Sequence, residues 1–317
     1  VSHDGHVGAY HAVLRHQDGS ETSISHGVTV VATGGQEAHG SHYMLNQHPR
    51  VFTQLELEDM ITHRPEKIAD VEDVVMIQCV RPEGAEYDYC SRICCTSTIK
   101  NAIRLKIFKP DCRVTVLYKD IITYGFREQY YTEARNRGVI FVRYEDEGKP
   151  QVESLNGDIQ ITVQEQMLDR PMVIKPDMLV LSTAVEPSEG TKKLAKILDV
   201  PLSKEGFFLE AHVKMRPMDF MEEGIFVCGI AHYPKFIEES ISQALATAGR
   251  ATTILSKQNF HYGGTVAVVD PDKCVGCLTC ERTCPFEIPK VVEDYTGVGA
   301  IGRSEEHTSE LQSLSHI

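Results

Sequence analysis

The chain has 317 residues, enough to bury a substantial core and to form two or three domains. Its formal net charge of −13 argues against a surface built for nucleic-acid phosphates, and no apolar stretch approaches the length of a membrane span. Ten cysteines without a signal-peptide pattern point to a reducing, cytoplasmic setting and to metal or redox use rather than a disulfide framework.

Residues 6–16 and 21–31 alternate as two strands around Gln17-Asp18-Gly19-Ser20, a hairpin pattern. Five of the fourteen histidines, His3, His6, His11, His16 and His26, lie in this segment and are expected on solvated strand faces. The apolar run Val30-Val31-Ala32 ends in Thr33-Gly34-Gly35. It resembles the element that, in two-dinucleotide-fold flavoproteins, leads out of the flavin domain and passes its backbone near the cofactor. Residues 36–70 mix loop and helix, with Thr53 placed to cap a helix over 54–61.

The stretch from Val74 to Phe108 is the most informative. An apolar run, a loop, a helical pattern (Ile99, Ala102, Ile103, Ile107) and a β-rich run at Val114–Tyr118 read as a βαβ unit. A dinucleotide fold would carry G-x-G-x-x-G in the first turn, but only Gly84 stands there, among Cys79, Cys90, Cys94 and Cys95. Thiols opening a helix are favoured as thiolates by its partial positive charge. The spacing C-x10-C-x3-C-C is neither a ferredoxin nor a zinc-finger pattern, so a metal-ligand set and ordinary buried cysteines both fit it. A helix at Gln129–Asn136, a stop at Gly138, a strand at 139–144 and further strands over 150–175 complete a small doubly wound order. Asp177–Ala184 repeats the buried strand, a helix follows at Glu189–Leu198, and Gly224–Ala231 is a buried strand closing on Gly229. Flavoproteins of this class carry an aspartate after that glycine, where Ile230 stands. The helix expected at about 238–255 begins near Ile237, after Pro234, its first amides placed for a phosphate or a flavin edge.

Cys274-x-x-Cys277-x-x-Cys280-x-x-x-Cys284-Pro285 is the bacterial ferredoxin run for a [4Fe–4S] cluster; zinc motifs separate their C-x-x-C pairs by longer spacers. Cys284 either closes this cluster or serves one in a second run, as in two-cluster ferredoxins. Cys112 and Cys228 stand alone and are expected to be structural. The chain opens at Val1 inside a strand pattern, as if preceded by more, and Arg303–Ile317 resembles a translated adapter oligonucleotide, an expected non-native tail.

Taken together, Cys79-Val80, Tyr89-Cys90-Ser91-Arg92-Ile93-Cys94-Cys95, Lys100-Asn101-Ala102, Leu117-Tyr118-Lys119-Asp120, Thr123-Tyr124-Gly125, Gly138-Val139-Ile140-Phe141 and Gly229 to Gln243 resemble the A-subunit of heterodisulfide reductase, an iron–sulfur flavoprotein, over residues 1–302. The resemblance implies a thioredoxin-reductase-like two-dinucleotide-fold α/β flavoprotein core, partial and doubly wound, followed by a truncated ferredoxin-like α+β module. It divides the chain into the end of the first part of an FAD domain (1–70), a degenerate nucleotide-binding-like domain (71–176), the return of the FAD domain (177–262), a ferredoxin-type segment (263–302) and the tail (303–317). Implied cofactors are FAD, near Thr33, Gly34, Gly229, Ile230, Pro234 and Ile237, and [4Fe–4S] clusters, one on Cys79, Cys90, Cys94 and Cys95 and one on Cys274, Cys277 and Cys280, with Cys284. The implied role is an oxidoreductase subunit moving electrons between FAD and clusters in flavin-based electron bifurcation, with disulfide reduction by partner subunits. Its expected partners are other heterodisulfide-reductase-type subunits, ferredoxin, and hydrogenase or formate dehydrogenase electron-delivery subunits. No amino-acid side chain is expected as catalytic acid, base or nucleophile, and the piece alone is expected to be inactive. A pyridine-nucleotide-dependent flavin reductase related to the glutamate synthase small subunit, and a flavin-free electron-transfer scaffold, are the competing readings.

Overall fold

The computed structural model describes residues 1–38, 40–81, 89–166, 170–259, 274–283, 290–292 and 300–302. Its contacts divide the chain into two compact units, one made of residues 1–30, 210–226 and 247–317, the other of 31–209 and 227–246.

The first unit opens with three strands, β1 (Ser2–His6), β2 (Ala9–Arg15) and β3 (Glu21–His26), paired antiparallel in that order. The expected hairpin is therefore present, with β1 as an additional edge strand. Tyr10 on β2 is almost fully buried, and Gly224 lies so close to it that a Cβ there would meet Val7 Cγ2 at 2.9 Å. A short strand, β4 (Thr29–Val31), leads onward into the second unit.

After β5 (Gly35–Glu37), the second unit is built on a five-stranded parallel sheet. Its elements are β6 (Val51–Thr53), α1 (Gln54–His63), β7 (Asp73–Val80), α2 (Cys94–Phe108), β8 (Arg113–Tyr118), α3 (Glu128–Asn136) and β9 (Ile140–Arg143). An antiparallel meander follows, β10 (Gln151–Leu155), β11 (Asp158–Glu165) and β12 (Arg170–Ile174), and then β13 (Met178–Thr183) returns to the sheet. The strand order is β6-β13-β7-β8-β9, so the last strand in sequence is inserted next to β7. Strands buried on both faces read as near-continuous apolar runs, which is why 74–77 and 178–181 carry Val, Met, Ile and Leu without alternation and 114–117 is interrupted only by Thr115, itself buried. One face packs Leu57, Ile99, Ala102 and Ala134 of the helices against Val74, Met76 and Val114. The other packs Ile159, Ile161 and Val163 of the meander against Val75, Ile77 and Leu179. Helices thus cover one face and a β-meander the other.

Thr53 caps α1 in a full capping box: Glu56 N donates to its Oγ1 at 3.3 Å and Thr53 N donates to Glu56 Oε2 at 2.7 Å. Gly138, at φ +81°, ends α3. β14 (Val185–Pro187) pairs antiparallel with β5, and α4 (Thr191–Leu198), β15 (Ile225–Val227) and α5 (Ile237–Leu255) follow. Short pieces α6 (Thr279–Thr283), β16 (Lys290–Val292) and β17 (Ala300–Gly302) lie towards the C-terminus; Arg303–Ile317 falls outside the described residues. Cys112 and Cys228 are both buried, as structural cysteines are. Among the described residues no helix is long and apolar enough to cross a membrane.

Buried polar groups fix α2 to the rest of its layer. Asn101 is fully buried and its Nδ2 donates to Gln54 O at 3.0 Å and Gln54 Oε1 at 2.8 Å. Replacing it by Ala removes both bonds and leaves Gln54 Oε1 without its donor, and we expect a loss of about 1–3 kcal/mol in urea unfolding.

Candidate metal and cofactor site

Strand β7 is buried along its length except at Cys79, whose side chain reaches the surface. The cause is a break in register: Ile77 pairs with Leu181 but Val80 pairs with Thr183, so Gln78 and Cys79 together stand opposite Ser182. Cys79 absorbs the extra residue at φ 58°, a left-handed conformation that costs a side chain-bearing residue about 1–2 kcal/mol. Beside it, Gln78 is fully buried and neither atom of its side-chain amide has a hydrogen-bond partner among the described residues. The end of β7 therefore carries strain and an unmet polar group side by side, a combination that concentrates at functional sites.

The facing wall is the loop that enters α2. Val185 N donates to Ser91 Oγ at 2.9 Å, the Tyr89 hydroxyl donates to Val185 O at 2.6 Å, and the Tyr233 hydroxyl donates to Cys90 O at 3.3 Å. Arg81 also donates to Tyr89 O. The rings of Tyr89, Phe207 and Tyr233 pack together with centroids 5.7–6.2 Å apart. Arg92, between the second and third cysteines, adopts φ 62°; its N–H donates to Cys90 Sγ at 3.3 Å and its guanidinium binds Glu239 and the Tyr124 hydroxyl, each at 2.6 Å. Cys94 and Cys95 occupy the first turn of α2, where free backbone N–H groups leave partial positive charge.

Electrostatics ties the four sulfurs together. The Cys94 thiol is pushed well above its ordinary value by its hydrogen bond to Cys95, by burial and by the neighbouring Cys95, Cys79 and Cys90. Cys95 falls to about 7, chiefly because Cys94 hydrogen-bonds to it, with the Ile122 backbone helping. Although the residue reaches the surface, the protein around its sulfur strips away enough water to raise Cys79 to about 11, with Cys95 and Cys90 adding to the rise. The structure thus brings Cys79, Cys90, Cys94 and Cys95 into one neighbourhood. Among the described residues no three His, Cys, Asp or Glu side chains close on a single ion. Thiolates at the corners of an iron–sulfur cube stand farther apart than the ligands of one ion, and the donor set here is all sulfur, as a [4Fe–4S] centre requires.

The residues expected near a flavin also converge. A Cβ at Gly35 would meet Ile230 Cγ2 at 2.8 Å and Glu186 O at 2.8 Å, so the Thr33-Gly34-Gly35 turn lies directly against Ile230. Gly34 (φ +74°) and Gly229 (φ +71°) both have open space where a side chain would stand, leaving bare backbone for a ligand to approach. Gly229 N donates to Gln243 Oε1 at 2.9 Å, and Lys235 Nζ donates to Gly229 O and Gln243 Oε1, each at 2.9 Å, which locks the turn holding Gly229, Ile230 and buried Pro234. At the start of α5, Ile237 is exposed, and Glu239 Oε2 accepts from Phe236 N at 2.7 Å, so the protein's own carboxylate already serves the helix end.

In the C-terminal run, Cys274 and Cys280 are half-buried and Cys277 is exposed, its thiol lowered by hydrogen bonds from Thr279; Cys284 lies outside the described residues. Sequence reasoning assigned no role to Gln78, Arg92, Tyr233 or Glu239. Arg92 stood in view between cysteines, but its partner Glu239 lies 147 residues on, and no local pattern links the two.

Residues 266–289 match the family described as a 4Fe-4S binding domain. The chain is 34% identical over 305 residues to the A-subunit of the H(2):CoB-CoM heterodisulfide,ferredoxin reductase of Methanothermobacter thermautotrophicus, covering 90% of this chain and 46% of that protein. It is 33% identical over 297 residues to the A-subunit of the ferredoxin/F(420)H(2)-dependent CoB-CoM heterodisulfide reductase of Methanosarcina acetivorans, covering 87% and 36%. It therefore spans less than half the length of these curated relatives. Its fold is similar to that of T. acidophilum thioredoxin reductase, with a TM-score of 0.52 and 12% identity over 81% of this chain and 73% of that one.

Two outcomes follow from the geometry at β7 and α2. Without metal, Cys79→Gly should unfold at a higher urea concentration than Cys79→Ala, by about 1 kcal/mol, because only glycine adopts the left-handed conformation freely. Thiolate absorbance near 240 nm of the metal-free chain should show a step near pH 7 that vanishes in Cys95→Ser. Because the folded chain lowers this thiol's pKa, Cys95 adds stability above the ordinary thiol value that is lost as pH falls through about 7.

Proposed function

The chain belongs to the family of heterodisulfide reductase A-subunits, and on that premise we propose that it is the part of an iron–sulfur flavoprotein in which FAD exchanges electrons with [4Fe–4S] clusters. The observation that carries this reading is the end of β7: the place where a nucleotide-binding fold presents glycines to a pyrophosphate instead turns Cys79 outward toward Cys90, Cys94 and Cys95. In this reading those four hold one cluster, and Cys274, Cys277 and Cys280 hold a second, with Cys284 as its fourth ligand or as ligand to a cluster elsewhere. FAD lies against Thr33, Gly34, Gly229, Ile230, Pro234 and Ile237. When bound, the clusters supply one-electron steps and the flavin the junction between one- and two-electron chemistry.

The chain's own residues set how these groups sit. The Arg92 N–H donates to Cys90 Sγ, and α2 directs its positive end at Cys94 and Cys95, both stabilising negative charge on sulfur. Ser91, Tyr89 and Tyr233 hold the Cys90 loop to β14 and to the 229–235 turn, so ligand spacing is fixed by packing. No side chain is assigned as acid, base or nucleophile. Electron bifurcation, disulfide reduction by partner subunits and exchange with ferredoxin, hydrogenase or formate dehydrogenase modules belong to the complete protein in this proposal, as does a cytoplasmic setting.

Anaerobic purification with iron and flavin counted per chain tests the reading. Cys94→Ala should lose about four irons while keeping flavin. Iron unchanged in that variant would return Cys79 to Cys95 to structural cysteines, and iron without flavin in the full-length native protein would favour a flavin-free electron-transfer scaffold.

A further inference from the structure

His3 on β1 and His26 on β3 project from one face of the three-stranded sheet, on either side of Tyr10 on β2, the cross-strand partner of His26. Both rings are half-buried rather than solvated. Their Nε2 atoms lie 3.3 Å apart, and Thr29 Oγ1 lies 2.9 Å from each. The hydroxyl can accept from one ring and donate to the other, so it already satisfies both nitrogens, and their direct approach to each other serves no hydrogen bond that the threonine leaves unmade. It does match another requirement. At metal–nitrogen bonds of about 2.0–2.1 Å, two imidazoles on one tetrahedral ion stand about 3.3–3.4 Å apart.

We propose that His3, His26 and Thr29 form a binding site for one divalent transition-metal ion of the Zn²⁺, Ni²⁺ or Cu²⁺ class. Two imidazole nitrogens select such ions over Ca²⁺ and Mg²⁺, which take oxygen ligands. The site is built rigidly. Buried Tyr10 packs its ring against both imidazoles, with centroids 4.6 Å from His3 and 5.7 Å from His26, and its hydroxyl donates to Glu223 O. Thr29 N donates to Gly224 O at 2.9 Å, which holds the third ligand in place. Burial and the neighbouring His26 also hold His3 below its ordinary pKa, favouring the neutral, ligating ring. The ion would tie β1 to β3 across β2. His11, bonded to Ser25, and His16, bonded to Thr22, are exposed and take no part.

The test uses the anaerobically purified chain with its cysteines as isolated. Ni²⁺ is titrated by calorimetry into the native chain, His3→Gln, His26→Gln, Thr29→Val and His11→Gln, and the native complex is examined by X-ray absorption at the nickel edge. We expect one Ni²⁺ bound at least tenfold more tightly by the native chain and His11→Gln than by either His3→Gln or His26→Gln, with Thr29→Val intermediate. The native nickel spectrum should show two imidazole nitrogens and no sulfur. Equal affinity in native, His3→Gln and His26→Gln would overturn the proposal, as would sulfur at the nickel. If a histidine variant melts early without metal, the ligand set of the native complex decides: two imidazoles support the site, and sulfur or oxygen alone refutes it.

Discussion

Where β7 meets β13, one extra residue has to be accommodated in a sheet whose other contacts are regular. A parallel strand buried on both faces cannot shed a residue to solvent without breaking its ladder, so the surplus is taken up at the strand's end, where Cys79 enters the left-handed region and its side chain swings out of the core. Much of the candidate site is organised around that displacement. α2 starts within reach of the bulge, and its first turn delivers two more sulfurs to the same neighbourhood.

The surroundings of the sulfurs show why such a site needs anchoring from several directions. Burial raises the Cys79 thiol and the hydrogen bond to Cys95 raises that of Cys94, with neighbouring sulfurs adding to both, while hydrogen bonding lowers that of Cys95. Arg92 links this set to Glu239 near the start of α5, and Tyr233 links the Cys90 carbonyl to the turn that carries Gly229 and Ile230. The sulfur-bearing loop and the glycine turns are therefore parts of one mechanical assembly.

The other unit relies on a different device. There buried Tyr10 organises one face of the three-stranded sheet: its ring is flanked by two imidazoles and its hydroxyl donates to Glu223 O. Further along, Arg250 reaches Asp219 at 2.7 Å, where the carboxylate is almost fully buried, giving the later half of α5 its own attachment.

The amino-acid sequence by itself determined the elements whose pattern is local. The runs at 74–77 and 178–181, and 114–117 apart from Thr115, are apolar because both faces of a parallel sheet are buried, and α1 is announced by Thr53 and Glu56 three residues apart. The ferredoxin-type spacing of Cys274, Cys277, Cys280 and Cys284 was legible for the same reason, since ligands on one short loop must be close in sequence. Only tertiary structure decided what depends on distant partners. The insertion of β13 beside β7, the bulge it forces at Cys79, the pairing of Arg92 with Glu239, the seating of Gly35 on Ile230 and the meeting of His3 with His26 each join residues far apart in the chain. Alternation placed the histidines on a strand face, but which face is covered is set by the neighbouring chain that packs there, and periodicity carries no record of that neighbour.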